Sequence, residues 1–487
     1  MSGFRSFTGL IAATLLASCA AWNQPINTPI QQGQAEQELP FGGKVIADDE
    51  LFIGLAFSGG GTRASSFGYG MLKALQEATQ SPENPQGLLR HVRLVTGVSG
   101  GSVTAAYYGL HGPAGMNSFR QKYLIQDAEK YMANTIFNPI TIARGLSGGA
   151  NGRKTFGRFL DESILGGATF RDLWNKGHAT TWINASDIAN NTPFLFSQET
   201  FDALCSNLAD LPLSEAVAAS AAFPLVFSPI TLKAHDENCN YSEPDWLTAA
   251  RFNPEATSAM QAYGRSLETY RDPEKVKFVK LLDGGITDNF GTVGLAMERA
   301  KAQNPFGPLT EAQAVKLNRM LFLVSNAGVQ TDYRWTQKVQ GPGGIQMGLA
   351  ITGSSMASAT RVGYDVLRLT LDQYAEDLIE FRCGLSNTRV RALRGSTKGW
   401  DCKDLKLFVG QINFGQLPQD QQTELNKVPT RLKLETEQVD MVIDAALQAT
   451  RQSAEFNGFL RAIGAVDTPD APRRITPNAR RILPSGG

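Results

Sequence analysis

The chain has 487 residues, and Lys+Arg and Asp+Glu both number 46, so its formal net charge is zero. That balance excludes a nucleic-acid binder that relies on overall basic charge. The length accommodates two domains, or one large α/β domain with a C-terminal extension.

Taken in order, residues 1–18 read as an export signal. Arg5 supplies the positive charge and Phe7–Leu16 is an apolar core too short to remain as a membrane-spanning helix. The ending Leu16-Ala17-Ser18-Cys19 resembles the bacterial lipobox. That resemblance implies acylation of Cys19 and attachment to the bacterial cell envelope. The same resemblance implies, from Ala20 in place of Asp, the outer rather than the inner membrane. Residues 19–48, rich in Gln, Asn, Pro and Gly, read as a flexible tether. No uninterrupted apolar run of membrane length follows. Removing Cys19 from the five cysteines leaves Cys205, Cys239, Cys383 and Cys402. In an oxidising compartment Cys205–Cys239 and Cys383–Cys402 are the local pairs, although four cysteines permit three connectivities. No Cys-x-x-Cys or His-rich spacing suggests a metal site, and no cofactor is expected.

Three strand-to-turn junctions carry the chemistry. Leu51–Phe57 is a buried-type strand running into Ser58-Gly59-Gly60-Gly61-Thr62-Arg63 and a helix-like stretch from Phe67 to Ala78. Consecutive glycines there expose amides beside a positive helix terminus, which makes an anion site. A phosphate loop, a structural turn and an oxyanion hole are all compatible with it, although no Gly-Lys-Ser/Thr follows. Next, Val92–Thr96 leads into Gly97-Val98-Ser99-Gly100-Gly101 and another helix, the setting of a nucleophile elbow. Finally, Val276–Leu282 reads as a strand ended by Asp283-Gly284-Gly285, with a carboxylate at the edge where α/β sheets keep their sites.

These three motifs, in this order, resemble those of patatin-like phospholipases. Ala216–Pro229 is similar to that family's Ala-Ser-x-Ala-x-Pro-x-x-Phe-x-Pro segment. The resemblance covers about residues 50 to 330. It implies a three-layer α/β/α fold with a central, mostly parallel sheet, here followed by a C-terminal α+β extension. Ser99 would be the nucleophile and Asp283 its base. Gly59, Gly60 and Gly61 would form the oxyanion hole, and Arg63 would meet a phosphate or shape the loop. Ser58 stands where patatins have Asp, which is closer to the cytosolic phospholipase A branch. Asp288-Asn289-Phe290-Gly291 also departs from the family pattern, leaving acyl-chain and head-group preference open.

The expected divisions are a lipoprotein signal (1–18), a tether (19–48), a catalytic domain (49–330), an extension (331–466) and a disordered tail (467–487). Thr180–Ser186 reads as a core strand, Ala216–Ala222 as a helix, residues 236–275 as an irregular insertion, and Met320–Ser325 as the last strand of the catalytic sheet. In the extension, Gly344–Asp377 has a helical pattern, Leu405–Phe414 alternates as a strand, and Glu435–Ile463 reads as one amphipathic helix.

The expectation is a membrane-anchored serine acyl hydrolase acting on phospholipid or lysophospholipid esters through a Ser–Asp dyad. None of the four histidines, His91, His111, His178 and His235, stands at the C-terminal end of a core strand. A transacylase or general esterase uses the same residues. A catalytically silent lipoprotein that binds lipid or an envelope partner is the rival of a different class.

Overall fold

A computed structural model describes residues 23–30, 41, 50–132, 151–235, 239, 241–253, 256–330, 334–337, 339–341 and 343–466. The expected signal, Cys19 and the expected tail lie outside the described residues.

An eight-stranded mixed, mostly parallel sheet forms the centre, flanked by helices. Its strands are β1 (Leu51–Phe57), β2 (Val92–Val98), β3 (Thr180–Asp187), β4 (Thr192–Leu195), β5 (Ile230–Lys233), β6 (Phe278–Asp283), β7 (Arg319–Asn326) and β8 (Lys406–Asn413). The order is β5-β6-β3-β2-β1-β7-β8, with β4 paired to β3. Strands β3, β2, β1, β7 and β8 are parallel. Strands β4 and β6 run antiparallel to β3, and β5 antiparallel to β6. Every residue of β2 is buried, as expected of a central parallel strand covered on both faces. Full burial of one Val or Leu there contributes about 1.5–3 kcal/mol.

Helix α1 (Gly61–Ala78) follows β1, and α2 (Gly100–Phe119) follows β2. Gly112, with φ 64°, breaks α2 ahead of Pro113. Then come α3 (Leu213–Ser220), α4 (Asp245–Phe252), α5 (Ser258–Thr269), α6 (Val293–Lys301), the long α7 (Gly344–Cys383), α8 (Thr436–Gln452) and α9 (Ala454–Ala462).

Four expectations need correction. Met320–Ser325 is not the last strand of the sheet, because β8 pairs along the whole of β7 in parallel. The C-terminal region therefore extends the catalytic sheet, and α8 packs on α1. The stretch 236–275 holds α4 and α5, and so is not irregular. The helix expected over Glu435–Ile463 is two helices, because the Ser453 side chain accepts a hydrogen bond from the Phe456 amide and caps α9. Within the expected tether, Asn23–Ile30 lies against the body through hydrogen bonds to residues 205–207, 228–229 and 233.

Cys205 is bonded to Cys239 and Cys383 to Cys402, the two local pairs. Among the described residues, no helix is long and apolar enough to cross a membrane.

Candidate active site

Strands β1 and β2 are in parallel register with Phe57 opposite Gly97, so the turns after them emerge side by side at one edge of the sheet. Ser99 stands at the apex of the second turn with φ 53° and ψ −123°, a backbone conformation that costs about 1–3 kcal/mol and persists only when its surroundings enforce it. They do. A Cβ on Gly97 would lie 2.4 Å from the Gly101 carbonyl oxygen, and one on Gly101 would lie 2.3 Å from that of Phe57. Both elbow glycines are thus required by close backbone approach.

Asp283 ends β6 opposite Ala185 of β3, while Val98 is opposite Asn184. This brings the carboxylate from far along the chain to the Ser99 hydroxyl, whose nearness lowers the Asp283 pKa. The Gly285 amide donates to Asp283 Oδ1 at 2.9 Å. Asp283 is only 2% exposed, and burial pushes its pKa up to about 6 against the opposing pull of those two groups. Desolvation thus moves this carboxylate out of its ordinary range.

No histidine serves Ser99. His91 precedes β2 at the end opposite the elbow and its Nε2 accepts from Arg90. His111 Nε2 is bonded to the Ile164 carbonyl, His178 lies beside Gly112, and His235 Nε2 is bonded to the Asn27 carbonyl.

The glycine loop presses on the nucleophile, since a Cβ on Gly59 would come within 3.2 Å of the Ser99 Cβ. Its three amides are not equivalent. Gly59 N–H donates to Asn289 Oδ1 at 3.1 Å. Those of Gly60 and Gly61 have no partner among the described residues, and they sit where α1 begins. Helices α1 and α2 both start at this point, so two positive helix ends converge beside Ser99. Gly60 and Gly61 are therefore the amides open to an oxyanion, while Gly59 is engaged by a side chain.

Arg63 does not reach outward to a phosphate. It is 3% exposed, and its Nε and Nη1 donate to the carbonyls of Ala327 at 3.0 Å and Val428 at 2.7 Å. Burial lowers its pKa to about 10. Of the two roles considered, loop shaping is the one its contacts match.

Residues outside the motif assignments complete the site. Ser99 N–H donates to Ser220 Oγ at 2.8 Å, and Ser220 Oγ donates to the Asn184 carbonyl at 2.6 Å. The sequence signal for Ser220 is its place in the Ala-Ser-x-Ala-x-Pro segment. Ser220→Ala leaves the buried Ser99 amide without this acceptor. We expect a loss of about 1–3 kcal/mol in stability together with a fall in turnover, measured by urea midpoint and ester hydrolysis; wild-type values for both would refute this role. Asn289 links the glycine loop to α7, because its Nδ2 donates to Thr360 Oγ1 at 2.8 Å. Met356 of α7 covers the site, with its Cε 3.6 Å from where a Gly59 Cβ would stand. Asp288 is a local cap, accepting from the amides of Phe290, Gly291, Thr292 and Val293. A small apolar cavity of about 20 Å³, lined by Phe52, Leu295, Met320 and Tyr374, lies toward the opposite end of β1 and is separate from this chemistry. Among the described residues, no His/Cys/Asp/Glu group could hold a metal.

The arrangement can attack an acyl carbonyl, take up the proton and hold an oxyanion. Residues 55–296 match the family model described as patatin-like phospholipase. No curated protein matches the chain. Among solved structures, human GIVD cytosolic phospholipase A2 is similar at 12% identity and TM-score 0.37, over 87% of this chain and 61% of that one. The same enzyme in complex with methyl gamma-linolenyl fluorophosphonate gives 13% and 0.36, over 86% and 60%. VipD from Legionella pneumophila gives 11% and 0.32, over 91% and 73%. The chain thus spans about three fifths of the length of the human chains it matches, and likeness this loose transfers no residue roles.

Proposed function

The chain carries a patatin-like phospholipase domain over residues 55–296, and from that premise we propose that it is a serine acyl hydrolase of phospholipids or lysophospholipids, tethered to a bacterial envelope membrane through acylated Cys19. The observation that carries the reading is the meeting of Ser99, on its strained elbow, with the buried Asp283.

In the proposed reaction Ser99 Oγ attacks the ester carbonyl carbon as Asp283 accepts the hydroxyl proton. The carbonyl oxygen becomes an oxyanion facing the Gly60 and Gly61 amides, where donors already in place need no reorganisation. Collapse of the tetrahedral species breaks the bond to the alcohol, which leaves with the proton from Asp283. The acyl group remains on Ser99. A water molecule then gives a proton to Asp283, attacks the acyl-enzyme, and releases the fatty acid while Ser99 regains its hydrogen. Because Ser99 is 7% exposed beneath Met356, substrate entry requires α7 to give way locally.

Purified protein should react covalently at Ser99 with a fluorophosphonate and release fatty acid from at least one phospholipid class. Ser99→Ala should do neither. Lipid binding by wild type without labelling or turnover would favour the silent lipoprotein. Acyl transfer to an alcohol in preference to water would favour the transacylase.

A further inference from the structure

Asn23–Ile30 is seated on the body as closely as a strand. Asn27, 7% exposed, imitates a backbone partner for the edge of β5. Its Nδ2 donates to the Lys233 carbonyl at 2.8 Å and to Ser206 Oγ at 2.9 Å, while its Oδ1 accepts from the Lys233 amide at 2.9 Å. The Asn207 amide donates to the Thr28 carbonyl at 2.8 Å, and the Ile30 amide to that of Cys205 at 3.0 Å. The Cys205–Cys239 bond lies in this seat. At the other end, Asn23 Nδ2 donates to the carbonyls of Ser228 and Pro229 at 3.2 and 3.1 Å. The Arg153 amide donates to Asn23 Oδ1 at 3.3 Å. The Arg153 guanidinium joins the Gln24 carbonyl to Glu215, whose side chain is fully buried.

The place of Asn23 in the sheet matters. Ile230 pairs with Leu281, two residues before Asp283, so the Ser228–Pro229 turn that Asn23 holds lies toward the Asp283 end of the β5–β6 pair. Cys19 is four residues upstream of Asn23, a span of at most about 14 Å. Were the first fixed residue instead Phe41, which stacks on Phe52, the 19-to-41 link would have a root-mean-square length of about 25 Å.

We propose that Asn23–Ile30 is a docking strap that shortens the link from Cys19 and holds the Asp283 end of the sheet against the lipid surface carrying the anchor, so that acyl esters of that same surface are the favoured substrate. This rests on the proposed acylation and hydrolase activity, and deepens them by naming which lipid the site meets. A lipid surface is a plane, so only the height of the link counts, and lengthening it from four to 22 residues lowers effective concentration at that surface with about the −1/2 power of length, roughly two- to threefold.

The test uses the full acylated chain in phosphatidylethanolamine/phosphatidylglycerol vesicles, with a soluble short-chain ester as control. Asn23→Ala/Asn27→Ala should raise amide exchange in residues 23–30 and leave the soluble-ester rate unchanged. It should lower hydrolysis of host-vesicle lipid about two- to threefold with equal vesicle association. A second variant, with a Gly/Ser insertion of about 28 residues after Ala20, keeps the strap seated and should show the same loss. Unchanged host-vesicle rates in the insertion variant overturn the proposal, whatever the fold of the first variant. So do strap amides that exchange as free chain in wild type. A wild-type protein with no acyl mass on Cys19 removes the acylation reading and this proposal together, whereas an acylated protein indifferent to link length removes this proposal alone. No turnover on either substrate removes the hydrolase reading, and this proposal with it.

Discussion

Asp283→Asn should abolish turnover, by about 10⁴-fold or more as when a hydrolase loses the group that manages its proton, and should at the same time make the protein more stable. Burial raises the Asp283 pKa to about 6, whereas an unfolded chain holds Asp near 3.9. The folded state therefore binds the proton more tightly. The stability linked to this group is fully present below about pH 3.9 and is lost as pH rises through about 6. At neutral pH the buried carboxylate costs up to about 3 kcal/mol, and a neutral amide avoids that cost while still accepting from the Gly285 amide. Thermal unfolding should show the variant ahead of wild type above pH 6, with the advantage shrinking toward pH 4. Wild-type kcat/KM should fall about tenfold per unit below pH 6, as a base requires. Each of the four histidines changed singly to Ala should leave most activity. An active Asp283→Asn, or a histidine variant that is folded and inactive, would overturn the dyad.

Gly61→Ala should be the most damaging change in the glycine loop. Gly61 has φ +60°, and an added Cβ would stand 2.4 Å from the Arg431 carbonyl oxygen. That carbonyl accepts from the Thr62 amide at 2.8 Å, and the Arg431 guanidinium is paired with Glu129. Neither side can retreat cheaply. Left-handed strain of about 1 kcal/mol would be joined by a backbone clash, and activity should fall at least 10²–10³-fold as an oxyanion donor is displaced. Gly166→Ala is the control, because Gly166 also has φ +60° but nothing within 4 Å of the added Cβ. It should show the backbone strain alone in a urea titration. Equal losses in the two variants would refute a specific contact with Arg431.

The parts of the fold that could be read from sequence are those whose signal is apolar and local. Strands β1 and β2 are continuous buried runs; the bounds of β1 follow directly, whereas β2 runs two residues past Thr96, through Gly97 to Val98. Strands β4 and β5 are four residues each; the first contains Pro193 and the second follows Pro229, so local chemistry reads as turn. The residues of α4 and α5 are polar on their outer faces, which obscured Leu247, Met260, Tyr263 and Leu267 as a buried set. Strand β8 was legible as a strand, but its place beside β7 depends on topology, which no local pattern encodes.

The site divides in the same way. Ser99, Asp283 and the glycines occur in motifs with a fixed local meaning. Asn289 and Met356 act across long separations and leave no such trace. The strap reads as tether in sequence because asparagine side chains and carbonyls hold it, and docking of that kind has no hydrophobic signature.

The Arg431 carbonyl behind Gly61 has a consequence for timing. A polypeptide emerges from its N-terminus, so Ser99 and the glycine loop exist well before Arg431, β8 and α8 are available. Until those late residues arrive, the Thr62 amide lacks its acceptor, α1 lacks the helix that packs on it, and the turn bearing the Gly60 and Gly61 amides has nothing behind it. Esterase activity should therefore appear only when the chain is nearly complete, so that a half-made chain leaves lipid untouched.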